Sequence, residues 1–183
     1  MALRFISIDP GVKNVGIALG TWSECETKLL SIDGIYHEDL TVFCHSTVDE
    51  AQCQLPHKAS IGHRIAHFMQ EWKREFDRAD TILLEGQPPR SGGQCLEAVI
   101  TCHYPAKVIF CFPAAIHSMF NLSRKRSERK DQTVQLIQDW IQEEGVTGGE
   151  AALKWLGGQE ILYDPCDALL FVAYYLNKKI LPA

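Results

Sequence analysis

A chain of 183 residues, 46% apolar and 22% charged, has the composition of an ordinary globular protein: long enough to bury one substantial core, short for two. No apolar run approaches the roughly 20 residues that span a bilayer, and no charged segment leads into a long apolar one at the start, so neither a membrane protein nor a secreted one is expected. A formal net charge of −5 argues against a surface that attracts polyanions everywhere, so any such attraction has to be local.

Residues 3 to 8 and 15 to 20 read as two strands joined by a turn on Pro10 and Gly11, and residues 28 to 35 as a third, giving an antiparallel meander. A polar stretch without pattern runs from about 44 to 58. Ser60 then caps a helix whose Ile61, Ile65, Phe68 and Trp72 form one apolar stripe. A strand at 81 to 85, a helix at 94 to 104, a strand at 106 to 112 and a helix from Asp131 to about Glu143 follow. The last helix runs from Asp164 to about Asn177. Loops are expected at 86 to 93, rich in Pro and Gly, at 121 to 130, rich in charge, and as a simple connector at 145 to 149. Three antiparallel strands followed by alternating helix and strand is the order of an RNase H-like α/β domain. The expected architecture is a single domain over residues 1–183, with a central mixed five-stranded sheet flanked by helices.

Acidic residues recur where apolar elements end. Asp9 closes the first strand, Glu85 closes the run Thr81-Ile82-Leu83-Leu84, and Asp164 and Asp167 precede Ala168-Leu169-Leu170-Phe171. Three residues apart at a helix start, Asp164 and Asp167 share one face and reach one site. Singly, each has an ordinary reading: Asp9 in an Asp-Pro-Gly turn, Glu85 facing water, Asp164 as an N-cap before Pro165. Asp167 is different, because Phe171 and Tyr174 flank it on its own face and a carboxylate there needs a partner. Together the four read as a metal site. Hard oxygen donors without a His or Cys pair favour Mg²⁺ or Mn²⁺, and two such ions about 4 Å apart activate water and stabilise a leaving oxygen in phosphodiester hydrolysis.

Zinc is not favoured. The seven cysteines, at 25, 44, 53, 95, 102, 111 and 166, include no CxxC and fit a reducing compartment. His63 and His67 have a ligating i, i+4 spacing but lack the intervening carboxylate of HExxH. Between Arg124 and Lys130, five of seven residues are basic: Arg124, Lys125, Arg126, Arg129 and Lys130. That run is either a solvated loop or a focused patch for phosphates. Lys130 at its edge is a candidate to stabilise a developing phosphorane or to position a nucleic-acid backbone.

At these residues the chain resembles the RuvC-like Holliday junction resolvases, and within them the poxvirus type found in large DNA viruses. The resemblance spans nearly the whole chain and rests on four segments: Ile8-Asp9-Pro10-Gly11-x-Lys13-Asn14-x-Gly16-Ile17-Ala18, Leu84-Glu85-x-Gln87-Pro88-x-Arg90-Ser91, Arg124 through Val134 with Lys130 and Gln132, and Asp164-x-x-Asp167-Ala168-Leu169. It implies that Asp9, Glu85, Asp164 and Asp167 bind two Mg²⁺ ions, with Mn²⁺ able to substitute, and that Lys130 assists them. It implies DNA contacts from Lys13, Asn14, Gln87, Arg90, Arg124, Lys125, Arg126, Arg129 and Lys130. A homodimer making paired symmetric nicks in four-way and other branched DNA is implied too, since the symmetry of the substrate is mirrored in the protein. The corresponding setting is the cytoplasm or a viral replication site. One departure concerns the bacterial aromatic residue that follows the glutamate, where this chain reads Gly86-Gln87-Pro88-Pro89-Arg90. Rival expectations are a nuclease of the same fold acting on flaps, loops or structured RNA, and a junction-binding scaffold without catalysis. A third is an actin-like or sugar-kinase ATPase, which needs two such domains.

Overall fold

The computed structural model describes residues 2–23, 29–41, 60–142, 146–158 and 163–180. Strands β1 (Ala2–Pro10), β2 (Val15–Ser23) and β3 (Leu29–Glu38) form the antiparallel meander, each longer than the sequence pattern implied. Strands β4 (Thr81–Glu85) and β5 (Val108–Cys111) add to the other side of β1 in parallel. The sheet has six strands where five were expected, in the order β5-β4-β1-β2-β3-β6. Strand β6 (Val146–Thr147) falls in the segment read as a connector and pairs in parallel with Leu30 and Ser31 of β3. Two residues are too short to show a period, so only the tertiary pairing reveals them.

The helices are α1 (Ile61–Glu71), α2 (Lys73–Arg78), α3 (Gln94–His103), α4 (Pro113–Met119), α5 (Arg126–Ile141), α6 (Gly149–Gly157) and α7 (Tyr163–Ile180). Ser60 caps α1 as expected, its hydroxyl oxygen accepting from the backbone N–H of His63. Helices α2, α4 and α6 are additions to the sequence reading, each under ten residues. Helix α5 begins at Arg126 rather than Asp131, so the charged loop shrinks and Arg126, Arg129 and Lys130 stand on a helix. The first turn of α5 is charged on all sides and gives no apolar period until Thr133 and Ile137 reach the core, which hid the true start. The patternless stretch at 44 to 58 and the expected helix end at Glu143 lie outside the described residues. No helix among the described residues is long and apolar enough to cross a membrane.

Two cores cover the two faces of the sheet. On one face Ile6, Ile8, Val15, Ile17, Ile82 and Leu84 pack against α1, α2 and α3 through Ile65, Phe68, Trp72, Phe76, Leu96 and Ile100. On the other, Phe5, Ala18, Trp22, Leu30 and Leu83 pack against α7, with α5 lying against α7 and α6 against β3. Helix α7 is buried through most of its length, from Cys166 to Leu176, and so reads as an apolar run rather than an amphipathic stripe. Truncating a fully buried residue of this helix such as Leu169 to alanine costs about 2–5 kcal/mol by lost burial and cavity formation. The helix position is therefore fixed, and with it the residues of its first turn.

Candidate active site

The two-residue period of a strand decides which side chains meet α7. In β1, Ile6 and Ile8 belong to the α1 face and Phe5 to the α7 face, so Ser7 and Asp9 also point toward α7. In β4 the same alternation sends Leu83 and Glu85 there and Ile82 and Leu84 the other way. Because β1 and β4 are parallel neighbours, with Ile8 opposite Leu84, Asp9 and Glu85 end adjacent strands side by side. They share a side-chain hydrogen bond.

Helix α7 brings the other two carboxylates. Gly16 pairs with Asp9 in the β1–β2 register, and a Cβ on Gly16 would sit 2.0 Å from the Asp164 carbonyl oxygen and 2.7 Å from Pro165 N. Only hydrogen fits there, so the first turn of α7 lies directly on the strand beside Asp9. One turn further, the buried hydroxyl of Ser7 donates to the carbonyl of Ala168 at 2.6 Å and pins the helix to β1. The result is that Asp9, Asp164 and Asp167 each offer a carboxylate oxygen within 4.8 Å of the others.

Crowding shows in the protonation equilibria. Burial, reinforced by Glu85, Asp167 and Asp164, raises Asp9 well above the ordinary carboxyl range. Glu85 is raised as well, chiefly by burial, although its hydrogen bonds from Asp9 and Gln87 favour its charged form. The contact between the two disfavours the charged form of Asp9 and favours that of Glu85. Asp167 is pushed up to about 7 by burial and then by Glu85 and Asp164, against the opposing pull of Lys130 and Arg129. Four oxygen-donor side chains whose charges repel one another at the mouth of an apolar core fit a hard multivalent cation, which would relieve that repulsion.

These residues line a cleft of about 250 Å³ whose opposite side carries Arg126, Arg129 and Lys130 from α5 and His117 from α4. One wall is acidic and the other basic. Lys130 Nζ stands 4.4 Å above the ring centroid of Tyr163, a cation–π contact that holds α5 to the start of α7. The Arg129 guanidinium donates to the carbonyls of Ser123 and Arg124, each at 3.2 Å, and thereby shapes the turn before α5. The basic run thus divides. Arg124 and Lys125 are exposed and do not line the cleft, and Lys125 is paired with Glu128 at 2.7 Å. A larger groove of about 560 Å³ between α5, α7 and residues 120 to 122 holds none of the clustered carboxylates.

The remaining sequence candidates surround the cleft. Lys13 is exposed in the β1–β2 turn, while Asn14 is half-buried and its Oδ1 lies 3.0 Å from His37 Nε2. Gln87 faces inward: its amide N–H donates to Glu85 Oε2, its carbonyl accepts from Ser91 Oγ at 3.0 Å, and its backbone N–H donates to Glu97 Oε2 at 2.6 Å. Gln87 and Glu97 together hold the loop that orients Glu85. Arg90 is exposed and takes a left-handed backbone, with φ 69°, anchored by its N–H donating to Gln94 Oε1 at 2.7 Å. Sequence reading did not single out His117 or Glu97. Neither lies in a motif, and only the packing of α4 and α3 brings them near.

The fold with this cluster at the ends of β1 and β4 is an RNase H-like domain. No protein-family model matches the chain, and no curated protein matches it in sequence. Its neighbours among solved structures include Holliday junction resolvases. It is similar to the fowlpox virus resolvase crystallised with substrate Holliday junction DNA (TM-score 0.71, 16% identity, 98% of this chain and 100% of that one). It is similar as well to the yeast mitochondrial Holliday junction resolvase Ydc2 (0.64, 19%, 98% and 86%) and to Thermus thermophilus RuvC (0.53, 13%, 98% and 97%). At such identities the shared property is the backbone arrangement.

Proposed function

We propose that the chain is a Holliday junction resolvase, a metal-dependent endonuclease that cuts four-way DNA junctions with paired symmetric nicks. One observation carries the catalytic part of the reading: four carboxylates from two strands and one helix face three cations across a single cleft. The substrate class comes by analogy with the fowlpox and yeast proteins, whose fold this chain shares over nearly its whole length.

Asp9, Asp164 and Asp167, with Glu85 alongside, would hold two Mg²⁺ ions, or Mn²⁺ in their place. Such ions, when bound, supply an activated water and charge stabilisation at the leaving oxygen. The protein's own groups do the rest. The charged forms of Asp9, Glu85 and Asp167, which burial and crowding otherwise disfavour, would be favoured by bound ions in a pocket lined by Leu170 and Phe171. Gln87 fixes the orientation of Glu85. Arg126, Arg129 and Lys130 take the scissile phosphate and its neighbour, offsetting negative charge that builds on the non-bridging oxygens. Lys13, Asn14 and Arg90 on the adjoining loops, with Arg124 and Lys125 beyond the cleft, extend the contact along the backbone. Two symmetric cuts need two such sites related by a two-fold axis, so the working form is a homodimer.

The test is a gel assay offering the purified protein, with Mg²⁺, a mobile four-way junction, a 5′ flap, a linear duplex and a structured RNA. Expected are paired, ligatable nicks in the junction alone, abolished in Asp9→Asn while junction binding persists. Preference for the flap or the RNA would move the protein to another nuclease of this fold, and cleavage surviving in Asp9→Asn would remove Asp9 from the site.

A further inference from the structure

Three lysines among the described residues stand over tyrosine rings, in different settings. Lys107, over Tyr104, also donates to the carbonyls of Phe76 and Asp77, at 3.2 and 2.8 Å, and so closes the end of α2. Lys178 is exposed and lies over Tyr174, four residues earlier on the same helix. Lys130 differs from both. Its ring, Tyr163, belongs to another helix, its ammonium lines the cleft, and no ion pair among the described residues takes that ammonium. Lys130 is half-buried, and a half-buried charge without a counter-charge is costly unless something else offsets it. The negative face of an aromatic ring does so.

The surroundings give the contact a direction. Tyr163 and Asp167 are four residues apart on α7, so ring and carboxylate stand one above the other on the same face. The charge of Lys130 reaches Asp167, where it opposes the effect of burial. The Tyr163 hydroxyl donates to Oδ1 of Asp131, the residue after Lys130, at 3.4 Å and sets the ring against α5. The ring itself does not line the cleft, so it has no contact with a phosphodiester held there. A contact that served only to join α5 to α7 would be made as well by two apolar side chains. A carboxylate in the place of the ring would neutralise the ammonium and compete with a phosphate for its N–H groups. A ring holds the lysine and leaves its charge in force.

We infer that Tyr163 is a positioning residue, whose ring holds the Lys130 ammonium in the cleft beside Asp167, ready for a substrate oxyanion. This rests on the nuclease reading and adds to it a residue that acts only through Lys130.

The experiment places Tyr163→Phe, Tyr163→Trp and Tyr163→Leu in the full chain, each with wild-type Lys130 and with Lys130→Met. Single-turnover cleavage of a four-way junction is measured in saturating Mg²⁺, junction affinity in Ca²⁺, and folding by thermal melting. A second arm uses neither metal nor DNA: lysines are reductively methylated with ¹³C-formaldehyde and their methyl signals recorded by NMR. Expected are cleavage about tenfold slower in Tyr163→Leu at unchanged junction affinity, and most of the rate retained with Phe or Trp. Once Lys130→Met is present, Tyr163→Leu should cost nothing further. The Lys130 methyl signal, identified by its loss in Lys130→Arg, should lie upfield under the ring current, survive in Tyr163→Phe and move downfield in Tyr163→Leu. Full cleavage in Tyr163→Leu, an equal loss in the Lys130→Met background, or a Lys130 signal that ignores the ring would overturn the inference. Each would leave the resolvase reading standing, with Tyr163 as a packing contact. A wild type that cuts no branched DNA would overturn the functional reading itself, and the inference with it.

Discussion

Asp167 is a carboxylate whose charge the metal-free fold tolerates poorly, and replacing it with asparagine measures that directly. Burial, with Glu85 and Asp164 beside it, pushes its carboxyl up to about 7 in the folded protein from an ordinary value of 3.8. Below pH 3.8 the group is neutral in both states and exerts no effect. Between 3.8 and 7 the folded state keeps a proton that the unfolded chain has lost, so stability falls as pH rises; above 7 the whole penalty is in place. The interval corresponds to at most about 4 kcal/mol, taking about 1.4 kcal/mol per pH unit. In chelator at pH 8, Asp167→Asn should therefore melt well above wild type, by up to roughly 8–16 °C at 2–4 °C per kcal/mol for a chain of this size. At pH 4 the two should coincide. Adding Mg²⁺ should reverse the order, stabilising wild type and leaving the variant little changed. The assay is thermal unfolding from pH 4 to 8 in chelator, read as the difference between the two proteins so that other carboxylates cancel. Equal melting temperatures at pH 8 would refute the reasoning, since Asp167 would then be solvated rather than crowded.

Other perturbations test the frame around the cluster. Gly16→Ala places a methyl 2.0 Å from the Asp164 carbonyl; it should displace the first turn of α7, destabilise by about 1–3 kcal/mol and weaken Mg²⁺ binding, read by melting with and without the ion. Replacing Arg124, Lys125 and Arg126 together by alanine should weaken junction binding at all sequences and flatten its salt dependence; an unchanged slope would return Arg124 and Lys125 to the role of solvated charges. Burial pushes the thiols of Cys111 and Cys166 up to about 12, whereas Cys95 and Cys102 are exposed. Peptide mapping after brief alkylation of the native protein should therefore find Cys95 and Cys102 modified and Cys111 and Cys166 protected until unfolding.

The acidic residues were legible because each obeys a local rule. Asp9 and Glu85 end strands whose alternation is visible, and Asp164 and Asp167 share a helical face by their spacing. What brings them together was not local. The docking of α7 depends on a missing side chain at Gly16 and a hydroxyl at Ser7, residues that look unremarkable in a strand. The expectation of a basic loop failed for a related reason: α5 starts inside the charged run, where propensity and a tertiary anchor at Tyr163 act without any apolar period. Strand β6 and the short helices α2, α4 and α6 carry too few residues for periodicity to register.

The pairing of Asp9, in the first strand, with Asp164 and Asp167, in the last helix, also sets a time order. Strands β1 and β4 alone bring Asp9 and Glu85 side by side, with no third or fourth carboxylate until α7 docks. The site closes only when the last helix settles on Gly16, the same event that seals the larger of the two cores. If the proposed function holds, competence and completed folding are a single step, and partly unfolded chains lack the geometry to hold the ions.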